Sequence, residues 1–333
     1  MNNLIILLLA SIMLGAVKPP SHSYYIPFVG SKDILKDRLT ERLGVAAGWR
    51  FEEKEAELLN VSSYHNWSLE AKLYWADDLE YLNTFWSSCY PSDVQCDTSY
   101  MNEIYAMCSS NPNLHPINSM KWDDKVIIAF LNEPENQDQA NDAIEYAAYY
   151  FKYIKDVCGD HVAMTSPMLT FPKCWFPASS HPHLQYLTAK YGEDQPYCWL
   201  KEFIQVYHQT YGELPEIEVF AVHAHHSLGW VSENWYKPSI ASIYSDLYSV
   251  YSGFYGTSYR PPLLITEYSS CDPAYIREFL QEAKLNTDII GIFGWIPNLP
   301  DDHLSGLCTR YFSPYGSMQL TPVGCAFARK EDC

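Results

Sequence analysis

Short apolar runs alternate along this chain with longer amphipathic stretches. The runs are rich in β-branched and aromatic residues and are bounded by turn-forming residues, a pattern that indicates buried β-strands. Eight of these runs follow one another through most of the chain. The predicted strands are Gly44–Arg50, Leu58–Tyr64, Tyr81–Trp86, Lys125–Leu131, His161–Thr165, Glu218–His223, Leu263–Thr266 and Ile289–Phe293.

Apolar residues recur at helical spacing between the strands, which predicts helices over Asp138–Val157, Tyr197–Tyr211 and Pro273–Leu285. The third helix has the clearest start, because Asp272 supplies an N-cap and a proline fills the first turn. Strands that alternate with helices are typical of repeated βα units, and eight of them predict an α/β fold of the (β/α)8 barrel type. A doubly wound sheet is the alternative, but no glycine-rich phosphate loop follows the first strand.

A further apolar run, Leu4–Val17, precedes these elements and stops at Lys18-Pro19-Pro20. It is too short to span a membrane comfortably, and it predicts a signal peptide over residues 1–23 followed by a single domain over residues 24–333. The run lacks a basic n-region and an Ala-x-Ala cleavage site, so an uncleaved anchor is the alternative. We expect a secreted protein that does not associate with membranes once the signal peptide is removed.

The chain contains 10 cysteines, and an even number in an exported protein indicates disulfide bonds. Cys89 and Cys96 are the most local pair, whereas Cys308, Cys325 and Cys333 lie in the C-terminal tail. The sequence does not determine the pairing. No C-x-x-C pair occurs, which disfavours a structural zinc site.

Acidic residues outnumber basic residues by 40 to 22, and the net charge is -18. Such a charge repels polyanions, so nucleic acids and anionic membranes are excluded as partners. A neutral polysaccharide is compatible with this charge. Aromatic residues make up 15% of the chain, and their rings can pack in a core or stack against sugars. We expect the protein to act as a monomer.

Two glutamates come directly after apolar strands. Glu133 follows the fourth predicted strand and Glu267 follows the seventh. The carboxyl ends of barrel strands meet at one face, so we expect these side chains to lie close together. A carboxylate is costly to bury without a partner or a purpose, although most acidic side chains are simply solvated.

Glycoside cleavage requires two such groups, and a spacing of about 5–5.5 Å between them gives retention of configuration. We predict that Glu133 is the general acid/base and that Glu267 is the nucleophile. A dry pocket beside a negative charge is expected to raise the pKa of the proton donor, while hydrogen bonds keep the other pKa low. Asn132 is suited to hydrogen-bond a sugar 2-hydroxyl.

A series of motifs runs along the chain at Ser63–Trp67, Trp86, Phe130–Pro134, Gln139–Asn141, Ser166-Pro167, Ala221–His225 and Ile265–Tyr268. The order of these motifs, over residues 44–297, resembles family 128 of the glycoside hydrolases, the endo-β-1,3-glucanases. The resemblance implies a barrel and retaining hydrolysis of β-1,3-glucan. Substrate-binding residues are expected at Asn66, Trp86, Asn132, His223, His225, Tyr268 and Trp295, with Phe293 as the alternative to Trp295.

The chain departs from the family at Ala224 and His225, where the family has Trp-Tyr. The lost tryptophan predicts a changed subsite, so hydrolysis of another β-glycan is one alternative and a non-catalytic carbohydrate-binding barrel is another. His223, His225 and His226 suggest a metal site. However, two imidazoles on one strand face need a third ligand, so no metal is expected. No cofactor is expected either, because two carboxylates suffice for the chemistry.

Overall fold

The computed structural model of the protein describes residues 42–47, 51–69, 78–87, 118–136, 139–140, 142–170, 172–174, 182–226, 239–270, 272–286, 288–296 and 320–330, together with residues 102, 104, 105 and 108. The predicted signal peptide lies outside these residues, as do the candidate pair Cys89 and Cys96 and also Asn141, Cys308 and Cys333.

Ten strands occur in the described part of the chain, and they account for all eight predicted strands. They are β1 (Leu43–Ala47), β2 (Ser63–His65), β3 (Glu80–Tyr81), β4 (Asn83–Phe85), β5 (Lys121–Trp122), β6 (Lys125–Asn132), β7 (Val162–Met168), β8 (Phe220–His226), β9 (Leu263–Ser270) and β10 (Ile289–Ile296).

These strands form two sheets. The first has the order β3-β2-β1-β10-β9-β8, and in the second β6 pairs with β4, β5 and β7. Every pairing is parallel except the β5–β6 hairpin. Isolated parallel bridges, Thr165–Val219 and Leu169–Val222, connect the β7 and β8 segments, and Leu82 alone separates β3 from β4. The fold is therefore a mixed α/β fold with parallel sheets, as the alternating pattern predicts.

Seven α-helices lie in the described ranges: α1 (Glu53–Leu59), α2 (Ile144–Cys158), α3 (Pro182–Tyr191), α4 (Cys198–Tyr211), α5 (Ile240–Tyr255), α6 (Pro273–Leu285) and α7 (Pro322–Phe327). The bounds of α6 confirm the prediction, and the Asp272 side chain caps it by accepting from the backbone N–H of Ala274. Helix α2 begins later than predicted because Asn136 and Gln139 lie in a turn that hydrogen-bonds to Glu133 and Asn132.

The predicted strand Leu58–Tyr64 is wrong in its first part. Residues 53–59 form α1, because a capping box between Glu52 and Glu55 satisfies backbone N–H groups at the start of this helix. Asn60 then adopts a left-handed conformation with φ 54 and ends the helix, which leaves Ser63–His65 as the strand. The short strand β5 was not expected from its sequence.

Alternate side chains of the strands enter two apolar clusters. The larger cluster combines one strand face with the helices, and it includes Phe220, Val222 and Ala224 of β8. The smaller cluster takes side chains from both sheets, including Ala221 of β8. Because strand side chains alternate between faces, His223 shares the face of the smaller cluster, away from the helices.

Disulfide bonds tie the helices to neighbouring segments, which confirms that cysteines of this chain pair. Cys108 bonds Cys158 at the end of α2, and Cys174 bonds Cys198 at the start of α4. Cys325 in α7 is also disulfide-bonded. Among the described residues, no helix has both the length and the apolar character needed to cross a membrane.

His65 makes a buried polar link between two strands of the first sheet. Its side chain is fully buried, and its Nε2 lies 2.8 Å from the backbone carbonyl oxygen of Thr266 in β9. Burial lowers the pKa of His65 to about 4, against the opposing effect of the Glu267 carboxylate. The imidazole is therefore neutral at neutral pH and donates its Nε2–H to the carbonyl.

Acid is expected to destabilise the fold through His65. The unfolded chain takes up a proton at His65 near pH 6.5, whereas the folded protein does so only near pH 4. The contribution of His65 to stability is therefore complete above pH 6.5, and roughly 3 kcal/mol is lost as the pH falls through this window. Urea unfolding of the wild type and of His65→Gln across this window should give a smaller pH slope for the variant. His208→Gln, at an exposed histidine, is the control. Equal slopes for wild type and His65→Gln would contradict this account.

Candidate active site

Glu133 stands directly after β6, in a backbone that turns sharply. Leu131 and Glu133 have φ values of 55 and 47, in the left-handed region where side chains other than glycine are strained by about 1–3 kcal/mol each. The pairing with β7 shifts register on both sides of Phe130. The Glu133 side chain is buried, and it accepts hydrogen bonds from Asn136 Nδ2 at 2.6 Å and from Thr170 Oγ1 at 2.6 Å.

Glu267 lies inside β9 at a second irregularity. The registers with β8 and β10 both shift next to Glu267, so β9 carries extra residues there. Such a bulge re-aims a side chain, and bulges are common beside active sites. Trp67 Nε1 donates to Glu267 Oε1 at 2.7 Å, and Trp67 itself has a left-handed φ of 58.

His223 lies between the two carboxylates. Its Nδ1 is 2.8 Å from Glu133 Oε1, and its Nε2 is 3.6 Å from Glu267 Oε1. His225 approaches from the same face of β8, with Nε2 3.4 Å from Glu267 Oε2. One nitrogen or oxygen atom from each of these four side chains lies within 4.8 Å of the others. The structure therefore brings together Glu133 and Glu267 and two of the predicted binding residues. These four side chains are the cluster referred to below.

Both carboxyl groups have a lowered pKa. Burial raises the pKa of Glu133, but it is outweighed by the hydrogen bond and positive charge of His223 together with the charge of His225 and the hydrogen bond from Thr170. Burial likewise raises the pKa of Glu267, and the charges of His223 and His225, together with a hydrogen bond from His225, outweigh it. The expectation that the proton donor has a raised pKa is therefore wrong for this cluster. Instead, the pKa of His223 is raised, since the charges of both glutamates overcome its own burial.

Asn132 is buried beside this cluster and is only partly hydrogen-bonded. Its Nδ2 donates to Gln139 Oε1 at 3.3 Å, whereas its Oδ1 has no hydrogen-bond partner among the residues that the structure describes. A buried acceptor without a partner costs free energy unless a ligand or a water satisfies it. Asn132 Oδ1 is therefore a suitable acceptor for a hydroxyl group bound at the site.

Three other predicted binding residues lie at different distances from the cluster. The Trp295 ring is half-buried and lies 5.4 Å from the His225 ring, so it borders the carboxylates through that histidine. Trp86 adjoins the site through its carbonyl, which accepts from the backbone N–H of Asn132 at 2.8 Å. Asn66 accepts from the Tyr81 hydroxyl at 2.6 Å and thereby contacts the neighbouring strand.

The structure does not bring Tyr268 to the cluster. Its side chain is fully buried and stacks on Phe279 of α6, with 4.4 Å between ring centroids, so it belongs to the core on the helix side of β9. Ala224 also lies in the helix-side core. A residue at position 224 faces away from the glutamates, so the expected loss of a sugar-stacking platform there does not follow, whereas position 225 faces them.

Several residues of the site were not expected from the sequence. Thr170 follows β7 and hydrogen-bonds Glu133, and its hydroxyl also lies 3.1 Å from His223 Nδ1. Asn136 and Trp67 each donate to one glutamate. Trp67 ends one of the motif segments and could have been singled out on that basis. Thr170 and Asn136 lie in irregular loops, where no periodic pattern marks them.

No protein-family model matches the chain, and no curated protein sequence does so either. Solved structures match it along most of its length. One is a curdlan-specific exo-β-1,3-glucanase of glycoside hydrolase family 128, subgroup III, from Blastomyces gilchristii, at 16% identity, covering 87% of this chain and 99% of that one, with a TM-score of 0.54.

A subgroup II endo-β-1,3-glucanase from Pseudomonas viridiflava is 17% identical, with coverage of 87% and 97% and a TM-score of 0.55. A subgroup I endo-β-1,3-glucanase from Amycolatopsis mediterranei, in complex with laminaritriose, is 13% identical, with coverage of 86% and 98% and a TM-score of 0.50. These likenesses establish that the chain shares its fold with solved structures of glycoside hydrolase family 128.

Proposed function

We propose that the protein is a retaining glycoside hydrolase that cleaves β-1,3-glucan by double displacement. The observation that carries this proposal is the buried pair Glu133 and Glu267, which lie directly after β6 and in the second half of β9, with carboxylate oxygens within 4.8 Å of each other. Carboxyl groups lie about 5–5.5 Å apart in retaining enzymes and about 6.5–9.5 Å apart in inverting enzymes, which hold a water between them. The short distance favours retention.

Glu267 is the nucleophile in this proposal. It must be ionised to attack the anomeric carbon, and its lowered pKa keeps it so. The Trp67 N–H fixes Oε1. Oε2 lies 3.4 Å from the partly exposed His225, on the more open side of the carboxylate.

Glu133 is the general acid/base and obtains its proton from His223. The raised pKa of His223 favours a proton at its Nδ1, 2.8 Å from Glu133 Oε1. As a leaving oxygen gains negative charge, this proton moves to Glu133 along the hydrogen bond and from Glu133 to the oxygen. Neutral His223 and ionised Glu133 then remain to deprotonate the water that hydrolyses the glycosyl-enzyme.

Asn132, His225 and Trp295 hold the sugar ring at the cleavage point. The free Oδ1 of Asn132 accepts from the sugar 2-hydroxyl, an interaction that strengthens as positive charge develops on the ring. Trp295 is half-buried beside His225 and offers an apolar face for stacking. Asn66 and Trp86 contact sugar units of the glucan that lie further from the cleavage point.

The substrate class is inferred from the solved structures that share the fold. The Pseudomonas viridiflava protein is described as an endo-β-1,3-glucanase, and the Amycolatopsis mediterranei protein is complexed with laminaritriose. The site and these descriptions together favour β-1,3-glucan. His225 faces the nucleophile directly, so a difference in specificity is expected to involve this position.

We further propose that the two sheets close into one eight-stranded barrel, with β3 and β4 acting as a single strand. The bridges between the β7 and β8 segments and the continuity at Leu82 support closure at the two remaining edges. Residues 24–333 would then form one catalytic domain, secreted as a monomer after loss of residues 1–23. The disulfide bonds are compatible with export.

The purified protein is expected to release laminari-oligosaccharides from laminarin and curdlan, and little or nothing from cellulose or mannan. Product analysis by chromatography measures this release, and the anomer formed first should be β. Glu267→Gln is the control for contaminating activity. If oligosaccharides are released only from cellulose or mannan, the substrate is another β-glycan and not β-1,3-glucan. Binding to β-glucan without any cleavage would indicate a carbohydrate-binding barrel.

Replacing Glu267 by Ala should lower turnover by about 10⁴-fold or more, because no covalent intermediate can form. The protein should remain folded, since removal of a buried negative charge relieves repulsion with Glu133. Azide fits the space left by the side chain and should restore cleavage of an activated aryl β-glucoside of suitable length. The product should be the glycosyl azide of inverted, α configuration. Near-normal activity without azide would remove Glu267 from this role.

Glu133→Gln should be most damaging when the leaving group is a sugar, because no acid then protonates the departing oxygen. With an activated aryl glycoside the first step should be nearly normal, and the intermediate should accumulate as a burst because deglycosylation lacks its base. The basic limb of the pH profile reports the proton shared by Glu133 and His223, so it should disappear.

Azide also distinguishes the two variants. It should attack the glycosyl-enzyme of Glu133→Gln from the opposite face and give the β-glycosyl azide, the anomer not formed by Glu267→Ala. Equal rate losses on the sugar and aryl substrates, with an unchanged bell-shaped pH profile, would contradict the assignment of Glu133.

A further inference from the structure

We infer that His223, His225 and Glu267 form a binding site for a divalent transition metal ion of the zinc type. In the sequence alone, two histidines on one strand face lack a third ligand, so no metal is expected there. The tertiary structure supplies this ligand from β9. The donor atoms of these residues and of Glu133 lie within 4.8 Å of one another.

Each histidine Nε2 lies at a zinc-like spacing from one oxygen of the Glu267 carboxylate, His223 from Oε1 and His225 from Oε2. Zinc–ligand bonds of about 2.0–2.2 Å place neighbouring ligand atoms about 3.3–3.6 Å apart in tetrahedral geometry. Nε2 of His225 is 3.4 Å from Glu267 Oε2, and Nε2 of His223 is 3.6 Å from Glu267 Oε1. Two imidazole nitrogens and one carboxylate are the protein ligands of a common type of open zinc site.

The second nitrogen of each histidine is already held in the manner of metal-binding histidines. Such residues place the nitrogen that is not coordinated against a carboxylate, carbonyl or water, which fixes the ring orientation. His223 Nδ1 lies 2.8 Å from Glu133 Oε1, and His225 Nδ1 lies 2.8 Å from Ser269 Oγ. Both Nε2 atoms consequently point towards Glu267.

His223 Nε2 supplies a separate observation that indicates a ligand. The His223 side chain is 0% exposed, and its Nε2 has no hydrogen-bond partner among the described residues. A buried ring nitrogen in this state costs free energy, which a bound ion recovers when it displaces the Nε2 proton of His223. The His225 side chain is 20% exposed, so solvent reaches this side of the cluster and provides an entry route.

Glu267 is the proposed nucleophile, so a bound ion and a glycan would compete for the same carboxylate. This consequence rests on the proposed function, but the metal site itself does not. Binding is therefore measured without a substrate. Failure to bind zinc would leave glycan hydrolysis standing, and an inactive protein that binds zinc would leave the metal site standing.

The test is titration of the full protein, first stripped with a chelator, with Zn²⁺ by calorimetry and with Co²⁺ by visible absorption. Tetrahedral Co²⁺ absorbs far more strongly than the hydrated ion, so its spectrum reports the geometry. We expect one ion per chain. His225→Phe removes a ligand and should weaken Zn²⁺ binding by about 100-fold or more, whereas Ser269→Ala removes only ring support and should weaken it by about tenfold.

His226→Gln is the matched control, because His226 is the next residue of β8 but contacts Ser270 and Tyr275 on the opposite face. It should bind Zn²⁺ like the wild type. Circular dichroism checks the fold of each variant, and Ser269→Ala serves if His225→Phe does not fold. The inference is overturned if the wild type shows no saturable binding, or if no folded variant at position 225 or 269 binds more weakly than His226→Gln.

Discussion

Two buried carboxylates repel each other, and the site of this protein depends on the histidine that lies between them. His223 contacts Glu133 through Nδ1 and approaches Glu267 through Nε2. This arrangement raises the pKa of the histidine and lowers the pKa of both acids, although burial acts in the opposite sense on all three groups. In the proposed mechanism, the proton that makes these three groups less costly to bury together is also the proton that is given to the leaving oxygen.

The backbone is distorted at the points where it presents these groups. Leu131 and Glu133 take left-handed conformations at the end of β6, and β9 carries extra residues at Glu267. In a regular strand, successive side chains alternate between the helix side and the opposite face. Regular strands would therefore not direct both glutamate side chains to one histidine. The strain is held by contacts from other segments, such as the hydrogen bonds from Thr170 to Glu133 and from Trp67 to Glu267.

The alternation of strand faces also decides which residues of a motif can act. In β8, positions 223 and 225 face the carboxylates, while Ala224 enters the helix-side core. In β9, Glu267 and Tyr268 are neighbours in sequence, yet the tyrosine packs on α6. Motif comparison treats such neighbours alike, because it does not distinguish the two faces of a strand.

The sequence by itself determined the α/β class, the approximate positions of all eight predicted strands and the bounds of α6. It also determined that Glu133 and Glu267 lie close together. These follow from local periodicity, from helix capping, and from charged residues placed at strand ends. Only the tertiary structure decided the rest. Helix α1 replaced part of a predicted strand because of its capping box, and Thr170 and Asn136 joined the site from loops without a pattern. The reversal of the expected pKa of Glu133, and the third ligand for the two histidines, arise from distances between residues far apart in the chain, which no local pattern encodes.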